Sequence, residues 1–309
     1  MPKFPVKNIK GVIPAMLTPF KEDESLDLDA ARKLTRYLCD KDIGGLYLTG
    51  STGEGFLMTG EERKAFVETV VDEAGGKVPI IVHVGAISTK ASEDMARHAM
   101  QAGADAISSV PPIYWKFSDD EVAKYYEDLV QASGLPMIVY NIALAGLVSF
   151  DMLLRLGSIQ GVEGVKYTSS TLYDVLRIKE KLGDDFMVYS GSDELAISGI
   201  AFGADGLIGS TYNVLAPLFI GIWNLAKNGD MESARKVQQT ANRFIFTMLK
   251  HNLMPTLKQT LEFAGIPGGI SRRPFGLMDE AGVAALKADY LKIKEELGDC
   301  GLEFLRNLT

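Results

Sequence analysis

The 309-residue chain is 47% apolar and 23% charged, proportions of a folded soluble protein rather than a disordered or fibrous one. With 32 lysines and arginines against 40 aspartates and glutamates its formal net charge is −8. The basic footprint of a nucleic-acid or anionic-membrane binder is therefore missing, whereas a small anionic substrate needs only a few local donors.

Two lone cysteines, Cys39 and Cys300, lack the spacing of a redox or metal motif. The start, MPKFPVKNIK, lacks the roughly 7 to 15 residue apolar stretch of a secretory signal, so a cytoplasmic protein is expected. The most apolar segment, Leu195 to Ala226, is broken by Asp205 and Asn213 and reads as buried strand and helix rather than a membrane span.

In chain order, the first strand is expected at Gly11 to Leu17, followed by Gly44 to Gly50, Pro79 to Gly85 and Ala106 to Pro111. Four more runs follow at Pro136 to Ile142, Val162 to Thr168, Phe186 to Gly191 and Gly206 to Thr211. Most are continuously apolar, as expected for strands covered on both faces, and helix-patterned segments separate them. Ser88 precedes one such segment, and SDDE at Ser118 to Glu121 reads as a capping box opening another.

Eight strand and helix units, starting about every 20 to 35 residues, match a (β/α)8 barrel, the α/β TIM-barrel fold. An open doubly wound sheet is the alternative, but no G-x-G-x-x-G turn follows the first strand. From about Pro217 onward the pattern is helical, with Asp230 or its neighbour as a cap and PGG at Pro267 to Gly269 as the main breaker. The expected division is a catalytic barrel over residues 1–224 and a helical domain of two or three helices over 225–309.

Catalytic groups of such a barrel gather at the carboxyl ends of its strands. Those ends carry Ser51 and Thr52 after strand two, Tyr114 after strand four, Tyr140 on strand five and Lys166 in strand six. Strands seven and eight add Gly191, Ser192, Asp193, Glu194 and Ser210. Lys166 interrupts an apolar strand, where an ammonium is costly. Burial favours the neutral amine, a nucleophile toward carbonyls, although a lysine can also pack its stem and send its head to solvent.

Tyr140 is either a core aromatic or a proton shuttle beside that amine. GSTGEGF at Gly50 to Phe56 is either a carboxylate cradle of amides and hydroxyls or a tight turn opening a helix. Asp193 and Glu194 could serve as a general acid, as hydroxyl ligands or as a helix cap. His83, His98 and His251 have no metal-ligand spacing, and core or surface roles are expected for them.

GSTGE at Gly50 to Glu54, YN at Tyr140 and Asn141, GVKYTSS at Gly164 to Ser170, and GADGLIGSTYN at Gly203 to Asn213 together resemble the N-acetylneuraminate lyase and dihydrodipicolinate synthase family of class I aldolases. The resemblance runs from GVIPAMLTPF near Gly11 to RRPFG at Arg272 to Gly276. It implies a (β/α)8 barrel with a C-terminal helical domain, assembled as a homotetramer, in which Lys166 forms a Schiff base with pyruvate without metal or organic cofactor. By the same resemblance Ser51 and Thr52 hold the pyruvate carboxylate, Tyr140 relays protons, and Tyr114 supports that relay from a neighbouring subunit.

TSSTLYDV after Lys166, the GSDE run and GSTYN at Gly209 to Asn213 resemble the sialic acid lyases of the family. There Thr168, Gly191, Asp193, Glu194 and Ser210 would bind the sugar's polyol and acyl-amino part. The dihydrodipicolinate synthases carry an arginine shortly after YN, where this chain has IALAG. Ala143 stands where the family usually has proline, and the segment from Tyr140 to Lys166 is a residue or two shorter than usual. The implied reaction is reversible cleavage of N-acetylneuraminate to N-acetylmannosamine and pyruvate. Its alternatives are a 2-keto-3-deoxy sugar acid aldolase, a dihydrodipicolinate synthase-like enzyme, or a non-catalytic paralogue that binds a 2-oxo acid.

Overall fold

Every one of the eight apolar runs forms a strand in the computed structural model, which describes residues 2–309. The strands are β1 (Gly11–Pro14), β2 (Leu46–Leu48), β3 (Ile80–His83), β4 (Ala106–Ser109), β5 (Met137–Ile142), β6 (Val162–Thr168), β7 (Met187–Ser190) and β8 (Gly206–Gly209). All neighbours pair in parallel in the order β1-β8-β7-β6-β5-β4-β3-β2. Met16 N–H donates to Tyr47 O (2.9 Å) and Gly44 N–H to Val12 O (2.8 Å), which joins β1 to β2 and closes the barrel.

Alternation along each strand separates two cores. Ile13, Tyr47, Ile81, Ala106, Ile138, Tyr140, Met187, Tyr189 and Ile208 fill the barrel, whose floor is plugged by Val6 and Ile9 from the chain start. Val82, Ile107, Val139, Val165, Tyr167, Val188 and Leu207 face outward against the helices. Parity thus sends Lys166 inward with Tyr140, while the adjacent Tyr167 points out and binds Asp174 through its hydroxyl (2.9 Å). Each strand is covered on both faces, which is why the runs read as continuously apolar.

The helices begin where the caps require. Ser88 and Ser118 cap Thr89–Ala102 and Asp119–Ser133, the second through a full capping box with Glu121. Thr59 and Glu62 form another at the start of Gly60–Ala74, immediately after the loop that follows β2. Asp230 caps Met231–Lys250.

Two details depart from expectation. Several strands stop short of the apolar run; β2 ends at Leu48 because Thr49 turns to φ 55°, a left-handed conformation uncommon for a β-branched residue. The chain after residue 224 holds four helices rather than two or three: Met231–Lys250, Leu253–Phe263, Glu280–Leu297 and Glu303–Asn307. Asn252 at φ 67° breaks what reads as one helical stretch. The helix Tyr212–Lys227 runs through residue 224 itself.

Candidate active site

Lys166 is 4% exposed and sits near the carboxyl end of β6, level with Tyr140 on β5 and Tyr189 on β7. Its Nζ lies 4.1 Å from the ring centre of Tyr140 and 4.4 Å from that of Tyr47, so the immediate neighbours of the amine are two aromatic faces rather than a carboxylate. Such faces attract a cation without neutralising it. Tyr47 and Tyr140 meet edge to face, with centroids 6.0 Å apart.

The two phenols differ in what holds them. Tyr47 donates to Ser108 Oγ (3.0 Å), which donates in turn to Ile138 O (2.7 Å), so its hydroxyl is tied into the barrel wall. Burial holds that phenol well above the ordinary tyrosine range. The Tyr140 hydroxyl has no such anchor among the described residues.

His83 packs edge-on against Tyr140 at 6.1 Å. Burial first, then the charges of Arg63 and Lys166, hold its imidazole neutral. Arg63, buried beneath the loop, donates to Gly85 O (2.8 Å) and His83 O (2.5 Å) and braces the end of β3. His83 therefore has the core role expected of it, but against the site rather than remote from it.

Beside the amine a glycine lets Thr168 pack closely against the backbone. A Cβ on Gly191 would fall 1.9 Å from Thr168 Oγ1 and 3.4 Å from Lys166 Cε, so no larger residue fits without displacing them. Thr168 Oγ1 is buried there with no hydrogen-bond partner among the described residues, a costly state for a hydroxyl unless a ligand completes it.

The loop after β2 is a tight reversal: Gly55 N–H donates to Gly50 O (3.0 Å) and Glu54 N–H to Ser51 O (3.1 Å). A Cβ on Gly55 would sit 1.9 Å from Thr49 O, which makes glycine obligatory there. The amides of Ser51 and Thr52 meet no backbone acceptor among the described residues. Thr52 Oγ1 lies 2.7 Å from Ser210 Oγ, joining this loop to the one after β8. Of the two expected readings of GSTGEGF, the tight turn leading into a helix is what the backbone forms.

Asp193 is buried, and its Oδ2 accepts from Thr211 N–H (2.8 Å) and Thr211 Oγ1 (2.6 Å) at the start of the helix Tyr212–Lys227. Burial pushes the carboxyl up to about 6 despite those donors. Its other oxygen packs toward Gly209 and Tyr212. Glu194 is exposed. Tyr114 lies away from this cluster, 86% exposed at φ 84°, its ring edge-on to exposed Trp115 with centroids 4.7 Å apart.

A cavity of about 340 Å³ opens at the mouth, lined by Ser51 and Phe56, by Ile113, by Ile142 and Leu144, and by Pro274 and Phe275 of the C-terminal segment. Among the described residues, no group of three or more histidine, cysteine, aspartate or glutamate side chains could hold a metal ion. No helix among them is long and apolar enough to cross a membrane.

Residues 8–293 match the model of the dihydrodipicolinate synthetase family. An N-acetylneuraminate lyase of Rhizobium meliloti (strain 1021) is 40% identical over 280 residues, covering 90% of this chain and 93% of that protein. Among solved structures, a Ruminococcus gnavus sialic acid aldolase catalytic lysine mutant superposes with TM-score 0.89 at 29% identity, over 96% of this chain and 99% of its own. The N-acetylneuraminate lyase of Fusobacterium nucleatum complexed with pyruvate does so with TM-score 0.88 at 31% identity, over 94% and 98%. The chain belongs to the dihydrodipicolinate synthetase family.

Proposed function

We propose that the chain is a carbon–carbon lyase that cleaves N-acetylneuraminate reversibly to N-acetylmannosamine and pyruvate through a Schiff base on Lys166. The observation that carries this reading is the buried amine itself, set against the faces of Tyr140 and Tyr47 beside Gly191 and the unpartnered hydroxyl of Thr168. The names of the relatives, and the absence of an arginine in IALAG after Tyr140, support the sugar acid over a dihydrodipicolinate synthase substrate.

Lys166 attacks the ketone carbon of the open-chain sugar acid, and loss of water leaves an iminium that the two ring faces accommodate. Ser51 and Thr52 hold the carboxylate through amides and hydroxyls. Tyr140 takes the proton from the C4 hydroxyl as the C3–C4 bond breaks, and the electron pair passes into the iminium to give an enamine. Protonation at C3 and hydrolysis release pyruvate and restore the amine. The reaction needs no metal or organic cofactor.

Thr168 Oγ1, Gly191, Asp193 through the oxygen that Thr211 leaves free, Glu194 and Ser210 are assigned to the sugar's hydroxyl and acyl-amino groups. The catalytic barrel is taken as residues 1–224 and the helical domain as 225–309. The chain is taken as cytoplasmic, and the exposed Tyr114 and Trp115 pair supports a homotetramer in which Tyr114 reaches a neighbouring subunit's site. A coupled assay for released pyruvate across N-acetylneuraminate, 2-keto-3-deoxy sugar acids and aspartate semialdehyde consumption tests the substrate. Turnover of N-acetylneuraminate at millimolar concentration is expected, and its absence beside turnover of another member of the panel would reassign the enzyme within the family.

A further inference from the structure

Glu54 closes the loop that carries Ser51 and Thr52, and it does so at φ 54°, ψ 31°, a left-handed conformation that favours glycine. Something must hold a glutamate there. Its carboxylate forms an ion pair with Lys258 Nζ (2.6 Å), on the helix Leu253–Phe263, and accepts from Arg272 N–H (2.7 Å), in the segment leading to Pro274 and Phe275. The side chains of Glu54 and Lys258 are 0% and 1% exposed.

The ammonium of Lys258 is ion-paired with Glu54 and donates to two backbone carbonyls, Thr18 O (2.8 Å) and Ile270 O. Arg272 grips the far side of the same loop, donating to Leu57 O (2.9 Å) and, with both terminal nitrogens, to Glu62 in the first turn of the next helix (2.7 and 2.8 Å). The ring of Phe20 meets both cations, 4.7 Å from Lys258 and 4.2 Å from Arg272. Every donor to this clamp comes from beyond the barrel, more than 200 residues along the chain from Glu54.

A buried ion pair adds little net stability over an apolar pair of the same volume; what it can supply is one defined geometry. We propose that Glu54 and Lys258 are positioning residues through which the C-terminal helices set the carboxylate-binding shape of the Ser51–Thr52 loop. This rests on the assignment of that loop to the pyruvate carboxylate.

The test compares Lys258→Met, Glu54→Gln and the double variant with the wild-type enzyme by two measurements. In the first, borohydride trapping is titrated with pyruvate. Half-saturating pyruvate should rise roughly tenfold in each variant, as expected for the loss of one oriented charge-assisted contact, while the trapped fraction at saturation is unchanged. In the second, hydrogen exchange read by mass spectrometry should show lost protection in peptides covering residues 50–57 and none in peptides covering β5 to β7.

Glu54→Gln, which keeps the shape of the side chain, serves if Lys258→Met does not fold. The double variant should recover thermal stability without recovering pyruvate affinity. Unchanged half-saturation with unchanged loop protection, or protection lost uniformly across the barrel, overturns the proposal. If wild-type enzyme traps no pyruvate on Lys166, the assignment of the site fails instead, and exchange in residues 50–57 alone then decides whether Lys258 holds the loop.

Discussion

The two ends of the proposed site are built differently. Lys166, Tyr140 and Tyr47 stand on strands, buried within the barrel core, where register and parity fix their separations. Leu144, Tyr114 and Glu194 stand on loops and are exposed, Leu144 to 82%. The strand-built end can therefore present one geometry to the pyruvate unit common to all substrates of this chemistry. The loop-built end can vary in length and sequence without disturbing the barrel, which makes it the natural place for choosing the aldehyde partner. The loop after β2 belongs to neither extreme: it is a loop by conformation but is held by a buried clamp.

This contrast predicts large effects at the strand end and small ones at the loop end. Replacing Lys166 by Met should lower kcat for pyruvate release by about 10⁴-fold or more, as expected when a covalent nucleophile is removed. The thermal midpoint should stay level or rise, because an apolar side chain replaces a buried amine that makes no ion pair among the described residues. Calorimetry on the variant checks the second point, and a marked fall would show that Lys166 is needed for the fold.

Tyr140→Phe should cut kcat roughly a hundredfold to a thousandfold, the range of a lost general acid–base group. It should still form the pyruvate adduct, since the amine and the carboxylate contacts remain. Loss of adduct and turnover in equal measure would place Tyr140 in binding rather than in proton transfer.

Asp193, besides its proposed contact to the sugar, gives a pH-dependent effect on stability. Its folded carboxyl titrates near 6 against an unfolded value of 3.8, so protons bind more tightly to the folded state. Its contribution is present in full below about pH 4, declines as pH rises through about 6, and is constant above that. The decline amounts to about 3 kcal/mol at most, from a shift of roughly two pKa units. Denaturant titrations of Asp193→Asn should lack it, and an unchanged pH profile would assign the dependence elsewhere.

At the loop end, Ala143→Pro should be nearly silent. Ile142 before it is extended at φ −145°, ψ 143°, as a residue preceding proline prefers, and Ala143 opens a single 3-10 turn. A gain of about 0.4 to 1 kcal/mol in stability with unaltered pyruvate affinity is expected. A large loss of either would mean that the loop is coupled to the strand-built end.

The barrel was legible from the sequence because double-sided burial leaves long apolar runs and because polar residues at strand ends stand out against them. Lys166 was visible for that reason, and parity explains why Tyr167 beside it is not part of the site. Tyr47 was not singled out: in GGLYLTG an aromatic looks like any core residue, and its place beside the amine depends on closure of β2 against β1 and β3. Thr211, which holds Asp193, lies on the neighbouring strand-end loop, a contact set by the pairing of β7 with β8. The clamp of Lys258 and Arg272 on Glu54 was hidden by sequence distance, because no local pattern relates residues that meet only after the chain has gone around the barrel. Asn252 was missed as a helix break because its turn needs φ 67° at a residue that also occurs inside helices.

The central claim is that Lys166 is a nucleophile toward a 2-oxo acid. Incubation with pyruvate and borohydride, followed by proteolysis and mass spectrometry, tests it directly. A reduced pyruvate adduct is expected on the peptide carrying Lys166 and on no other lysine, with Lys166→Met unlabelled. An unmodified Lys166, or an adduct on a different lysine, would contradict it.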